Sequence, residues 1–290
     1  TVGFLEVLRS AGHFRRLLRC LGEEMARRRP DCLVVIDFPG FNMRLGKLAK
    51  ARSVPVVYYF GPQAWAWGRG RARAVAQHAA LVCAVFPFEA ELYREAGARV
   101  EYVGHPLVDT VKPRLALEEA AAALGVAGAW PVISLLPGSR RQELEHHLKP
   151  MLEAASILKK RFQGARFILP LAHTVDRRQV EAGLPGEVPV QIAQGMTYEA
   201  LAFSHAAMAA IGTVTLEAAL LGCPFVGVLR LSPSTYWMAR RLYKPEYTVL
   251  PNIVAGREIV PELIQEDATP ERIAEEVARL LEPGRREEVL

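Results

Sequence analysis

No apolar run in this sequence is long enough to cross a membrane as a helix. The longest, residues 32–36 and 54–60, are strand-sized, against the roughly 20 residues that a span requires. Cysteine is scarce. Cys20, Cys32, Cys83 and Cys223 are widely spaced, mostly inside apolar segments, which excludes a disulfide scaffold, offers no zinc motif and suits a reducing cytoplasm. There is no repeat of 20 to 50 residues and no low-complexity tract, so solenoids and disordered arrays are excluded. No secretory leader opens the sequence. It starts at Thr1 and enters an apolar segment at once, which predicts a piece of a longer chain. Lysine is also rare: seven of the 36 basic residues, so arginine carries the net charge of +5. A basic surface fits nucleic acid, anionic lipid or a phosphorylated substrate, and charge alone does not choose among them.

What is present is a rhythm. With 290 residues, 51% of them hydrophobic, the chain can bury one large core or two medium ones. From Pro30 onward, short β-branched runs at residues 32–37, 54–60, 81–86 and 100–103 read as buried strands separated by helices, one of them at 89–96. After Gly104-His105-Pro106 the pattern pauses through a Pro- and Ala-rich stretch with a helix near 117–124. A second series follows, with strands at 132–136, 167–169, 188–192, 206–211 and 225–228. These alternations predict an α/β chain of two doubly wound, Rossmann-like parallel-sheet domains facing across a cleft, residues 1–110 and 111–290. Ligands of such sheets bind at the carboxyl ends of strands, so the chemistry is sought there.

Two loops of the second series share one arrangement. Gly138-Ser139-Arg140 follows a strand and precedes a helix over 143–160; free N–H groups and the helix dipole favour a phosphate there, to which Arg140 can add a bidentate contact. A tight turn with a solvated arginine fits the same residues. Gly212-Thr213 repeats the pattern and adds Glu217 one turn into the helix, placed either for ribose hydroxyls or merely to complement the dipole. A third segment, Asn252 with Arg257 and Glu258, is expected after the second sheet is complete; it offers polar contacts to a nucleotide or sugar, or is only a helix start.

In the first series, Asp37 ends a strand where a doubly wound domain would hold a general base, with Asn42 placed to orient it or cap the next helix; an ordinary Asp-Pro-type turn is the alternative. Gln63, Trp65 and Trp67 lie in one strand-to-helix connection with Arg69 and Arg71, fit to stack a sugar, carry acyl chains or enter a membrane interface, or else to pack as core tryptophans. His105 can serve as acid, base or donor, or be a packed histidine. At the start, Leu5 and Leu8 interleave with Arg15 and Arg16 in a basic amphipathic stretch that fits either an anionic membrane or a helix covering the sheet.

In this order, the segments 36–39 with Phe41-Asn42, Pro62 with Trp65-Ala66-Trp67, Pro87-Phe88-Glu89, Gly104-His105, residues 136–140, Gly212-Thr213 with Leu216-Glu217, and Pro251-Asn252 with residues 255–258 resemble the lipid-A-disaccharide synthases. These are inverting glycosyltransferases of Gram-negative bacteria with two-domain GT-B architecture. The resemblance covers nearly the whole chain. It implies transfer of 2,3-diacylglucosamine from UDP to the 6-hydroxyl of 2,3-diacylglucosamine 1-phosphate, with Asp37 as the base-like aspartate and Arg140 on the phosphate side. It implies no metal, consistent with the lack of an Asp-x-Asp motif, and no cofactor. The implied partners are the UDP-diacylglucosamine donor, the diacylglucosamine 1-phosphate acceptor and the cytoplasmic face of the inner membrane, peripherally bound. No nucleic acid is implied, and a homodimer is allowed. Gly40 departs from the family, many of whose members carry a second aspartate there. The resemblance also implies further residues at both ends of the chain and an incomplete first domain. Competing readings are another UDP-sugar protein of the same architecture, such as a glycosyltransferase of peptidoglycan or a UDP-sugar 2-epimerase, and a non-catalytic UDP-sugar-binding fragment.

Overall fold

The computed structural model describes the backbone of residues 4–289 except 174, 182, 185 and 244, and side chains from residue 12 with the same exceptions. The chain divides into two compact units, Thr1–Pro106 with Ser232–Pro245, and Leu107–Leu231 with Glu246–Leu290. The first division lies four residues before the expected boundary at 110. The return of residues 232–245 to the first unit was not expected, because a sequence pattern marks a helix without telling which unit it will join.

The first unit runs α1 (Phe4–Arg28), β1 (Leu33–Ile36), α2 (Pro39–Lys50), β2 (Val56–Tyr59), α3 (Ala64–Trp67), α4 (Gly70–Ala76), β3 (Leu81–Ala84), α5 (Pro87–Glu95) and β4 (Val100–Tyr102). Its strands form one parallel sheet in the order β1-β2-β3-β4. Proline opens α2 and α5 at the first helical position, where its missing N–H costs nothing and its fixed φ suits the turn. In the described part of α1, Phe14, Leu18 and Leu21 pack against a core that includes Phe41, Leu45 and Val56, while Arg15 and Arg16 are exposed. From residue 12 on, then, this helix packs on α2 and the core of its unit with its arginines outside. The side chains of Leu5 and Leu8 lie outside the described residues.

The second unit contains α6 (Leu107–Thr110), α7 (Leu117–Ala123), β5 (Val132–Leu136), α8 (Arg141–Arg161), β6 (Arg166–Leu171), α9 (Arg177–Glu181), β7 (Val190–Gln194), α10 (Thr197–Phe203), β8 (Ala206–Ala210), α11 (Thr213–Leu220) and β9 (Phe225–Leu229). After α12 (Pro233–Leu242), which belongs to the first unit, come α13 (Leu250–Ala255), β10 (Glu262–Ile264), α14 (Pro270–Leu280) and α15 (Arg285–Val289). The expectation that the second sheet ends before residue 250 is corrected by β10, which pairs with β9. All pairings are parallel, in the order β10-β9-β8-β5-β6-β7. Chain order therefore reverses between β5 and β8, and in open parallel sheets ligands bind beyond the carboxyl ends of the strands at such a switch point. One face is sealed by α8 and α14, where Ile133, Leu135, Phe167 and Ile273 are fully buried; each such side chain contributes about 1.5–3 kcal/mol.

Candidate functional site

In the second unit both glycine loops flank the switch point. Gly138 has φ +117°, a conformation that favours glycine, and a Cβ there would fall 2.4 Å from that of Glu143. The chain then enters α8 through Arg140 and Arg141. Glu143 folds back over this turn: the N–H groups of Ser139 and Arg140 donate to its Oε2 at 2.8 and 3.2 Å, and Arg140 Nη1 donates to Oε1 at 2.9 Å. The donors that the sequence assigns to a phosphate thus converge on one carboxylate, a capping arrangement made within the loop itself. The Arg140 side chain is 82% exposed, so that ion pair adds little stability.

Buried His147 braces the loop from behind. Its Nε2 accepts the Arg230 N–H at 3.0 Å, which leaves Nδ1 to carry the proton and donate to the Pro137 carbonyl at 3.1 Å. This neutral tautomer ties the end of β5 to the end of β9, and burial holds the imidazole pKa below its usual value.

At the end of β8, Gly212 and Thr213 are exposed at the start of α11, and Thr215 Oγ1 donates to the Gly212 carbonyl at 2.7 Å. Glu217 is half-buried; burial raises its pKa, while a hydrogen bond from the Tyr198 hydroxyl pulls the other way. Asn252 corrects its expectation as a ligand contact. It is fully buried; Nδ2 donates to the Val260 carbonyl and Glu262, and Oδ1 accepts the N–H groups of Ile259 and Val260. With all four hydrogen bonds used inside the protein, it supports the turn from which Arg257 and Glu258 emerge exposed.

In the first unit, Asp37 is exposed at the end of β1, and the backbone there is strained: Asp37 and Phe38 both have positive φ, 49° and 43°. Such conformations cost about 1–3 kcal/mol each and persist only where the surroundings impose them. Here Asn42 imposes them, its Nδ2 donating to the carbonyls of Ile36 and Asp37 at 3.1 and 2.6 Å. Asn42 therefore grips the backbone of the aspartate rather than its carboxylate, and Phe38, not Asn42, occupies the cap of α2. Behind it the Tyr58 hydroxyl donates to the Asn42 carbonyl at 3.0 Å and so must accept from His78 Nε2 at 2.8 Å. Gly46 makes room for this relay, since a Cβ there would lie 2.6 Å from the His78 ring.

The ends of β2, β3 and β4 carry a run of rings. His105 meets Phe60 and Phe86, both at 5.3 Å; Phe86 stacks on Phe88 at 5.3 Å, and Phe88 meets Trp65 edge-on at 5.4 Å. His105 is half-buried, which lowers its pKa. Gln63 is exposed just before α3, and Trp67 points away from this run, to Tyr243 at 5.6 Å. The sequence reading thus named residues at the strand ends of both sheets. It missed Glu143, whose position three residues into a helix is a capping signal. It also missed His147, Tyr198 and Phe86, which no local pattern marks.

The sequence profile described as lipid-A-disaccharide synthetase matches residues 1–289. The chain belongs to that family. Relatives include the lipid-A-disaccharide synthase of Trichlorobacter lovleyi, 41% identical over 285 residues, which cover 97% of this chain and 73% of that protein. The same enzyme of Myxococcus xanthus is 41% identical over 291 residues, covering 100% and 76%. Among solved structures, UDP-GlcNAc 2-epimerase from Neisseria meningitidis, bound to UDP-GlcNAc, superposes with a TM-score of 0.64 at 16% identity, covering 95% of this chain and 75% of that one. The epimerase of Methanocaldococcus jannaschii in complex with UDP-GlcNAc and UDP gives 0.61 at 14%, covering 94% and 75%. At such identity the likeness is one of fold. As a lipid-A-disaccharide synthetase family member, the chain is a glycosyltransferase of lipid A biosynthesis. No helix among its described residues is long and apolar enough to cross a membrane.

Proposed function

We propose that this protein transfers 2,3-diacylglucosamine from UDP to the 6-hydroxyl of 2,3-diacylglucosamine 1-phosphate, by one in-line displacement that inverts the anomeric carbon. Asp37 takes the proton of the acceptor hydroxyl as its oxygen attacks C1 of the donor sugar. The bond from C1 to the diphosphate breaks, and UDP leaves with the electron pair. Ser139, Arg140 and the start of α11 stabilise the charge that develops on UDP, and no metal is needed for that step. Glu217, steadied by Tyr198, suits the ribose hydroxyls; the diphosphate displaces the Glu143 carboxylate. Arg257 and Glu258 are placed for further donor contacts, and Gln63, Trp65, Trp67 and His105 for the acceptor. The acyl chains of both substrates set the reaction at the cytoplasmic surface of the inner membrane.

The observation that carries this reading is the pair of loops at the switch point of the second sheet, with donor N–H groups already gathered on a carboxylate, in a member of this family. The test is UDP release by the purified protein given the diacylglucosamine donor, with and without the acceptor. Acceptor-dependent UDP and a β-1,6 disaccharide are expected. UDP-sugar epimerised without acceptor, or bound and never turned over, would overturn the proposal.

A further inference from the structure

One face of α12 has no part in the proposed transfer. Trp237, Met238, Arg241 and Leu242 are spaced i, i+1, i+4 and i+5 and so share one side of the helix. Trp237 is 59% exposed, Met238 54% and Leu242 52%, and no residue of α12 is buried. The Arg241 guanidinium lies 3.6 Å from the centre of the Trp237 ring. Residues 233–245 hold Arg240, Arg241 and Lys244 and no carboxylate. Beyond the helix, the Tyr243 ring meets Trp67 at 5.6 Å.

We infer that this face of α12 docks the protein on an anionic phospholipid surface. An indole, a thioether and an isobutyl side chain left in water favour burial at the boundary between headgroups and acyl chains, where an amphipathic helix lies flat. Arginines beside them pair with lipid phosphates. Charge decides against a second copy of the chain as the occupant: a two-fold contact through this face sets Arg241 and its neighbours against themselves. Of the described apolar residues of α1, Phe14, Leu18, Leu21 and Met25 pack on the core of their unit, and Leu17 is left 37% exposed. The inference rests on the proposed function only in taking a lipid surface as the anionic apolar partner.

The experiment is co-sedimentation of the protein with vesicles of phosphatidylglycerol and phosphatidylethanolamine, and with vesicles of phosphatidylcholine alone. The parent protein binds the first and not the second. Binding falls by about tenfold or more in Trp237→Ser/Met238→Ser/Leu242→Ser and in Arg240→Glu/Arg241→Glu. The thermal midpoint, and transfer between detergent-dispersed substrates, stay at parent levels in both variants because all these side chains are exposed. Variants that bind vesicles like the parent overturn the inference. So does a concentration-dependent dimer that the triple variant abolishes while vesicle binding persists, which would make a second copy the occupant. Vesicle binding without transfer would sink the proposed function and leave this inference standing.

Discussion

The two sheets differ in how completely their strands are covered. β5 and β8 are buried at every position, whereas in β1 only Val35 is buried, with Val34 and Ile36 53% and 60% exposed. Their sequences do not announce this: LVVI in β1 is as apolar as VISLL in β5. Strands of parallel sheets read as continuous apolar runs because helices usually cover both faces. The pattern thus fixes the element, while its neighbours fix its burial. The same contrast runs through the two candidate sites. That of the second unit is built of exposed donors at helix starts; that of the first is a strained loop held by a buried hydrogen-bond relay.

Asp37 and Asn42 give the largest expected effect. Asp37→Ala should lower kcat by about 10²–10⁴ while UDP affinity stays within a few-fold, because a general base acts on the acceptor side. Loss of UDP binding in step with rate would make Asp37 a donor contact instead. Asn42→Ala, which leaves two consecutive positive-φ residues without their clamp, should lower kcat comparably with the carboxylate still present. An Asn42 variant with parent activity would show that the loop holds itself.

Much of this was legible in the chain. Short apolar runs located every described strand but β10, and Pro-Gly and Gly-Thr after two of them located the loops at the switch point. The assignment of α12 to the first unit was not legible, since nothing in PSTYWMARRL says which unit it joins. Nor was the role of Asn252: a polar residue near a turn reads as a ligand contact until its four internal hydrogen bonds are seen. The partnership of Tyr198 with Glu217 depends on which strands lie side by side, which no local spacing encodes.

Two isoleucines sharpen the contrast between the sheets. Ile133→Ala in β5 empties space in a sealed core and should cost about 2–5 kcal/mol of unfolding free energy, whereas Ile36→Ala at an exposed position of β1 should change stability by no more than about 0.5 kcal/mol. Equal losses in denaturant titrations would mean that the open face of β1 is covered in solution.

Glu89 separates the units by pH. It is buried at the start of α5, accepts the Val85 N–H at 3.0 Å, and burial pushes its pKa up from 4.5 to about 7. Between those values the folded protein keeps a proton that the unfolded chain has released. Its stabilising effect is therefore present below about pH 4.5 and lost as pH rises through about 7, a change on the order of 3 kcal/mol. Glu89→Gln should remove that dependence, so its stability relative to the parent should rise from pH 5 to pH 8. His78, His105, His147 and His205, whose pKa values are lowered, act in the opposite sense below about 6.5 in both proteins and cancel in the difference. A constant difference across that range would mean that Glu89 ionises normally.

In the second unit, Arg140 and Glu143 should move UDP affinity in opposite directions. Under the proposed role of Arg140 at the diphosphate, Arg140→Ala should weaken UDP binding by about 1.5–3 kcal/mol, the usual loss for a charged hydrogen bond. Glu143→Gln keeps a side chain of the same shape over the Ser139 and Arg140 N–H groups but removes the negative charge that competes with the phosphates. Its expected effect is smaller, a few-fold tighter UDP binding by calorimetry, on the order of 0.5–1 kcal/mol for one exposed ion pair. The salt dependence distinguishes the causes. If Glu143 is a competitor, the advantage of the variant should shrink as ionic strength rises and screens the carboxylate of the parent. If instead Glu143→Gln weakens UDP binding, the carboxylate serves to shape the turn, and the diphosphate binds beside it.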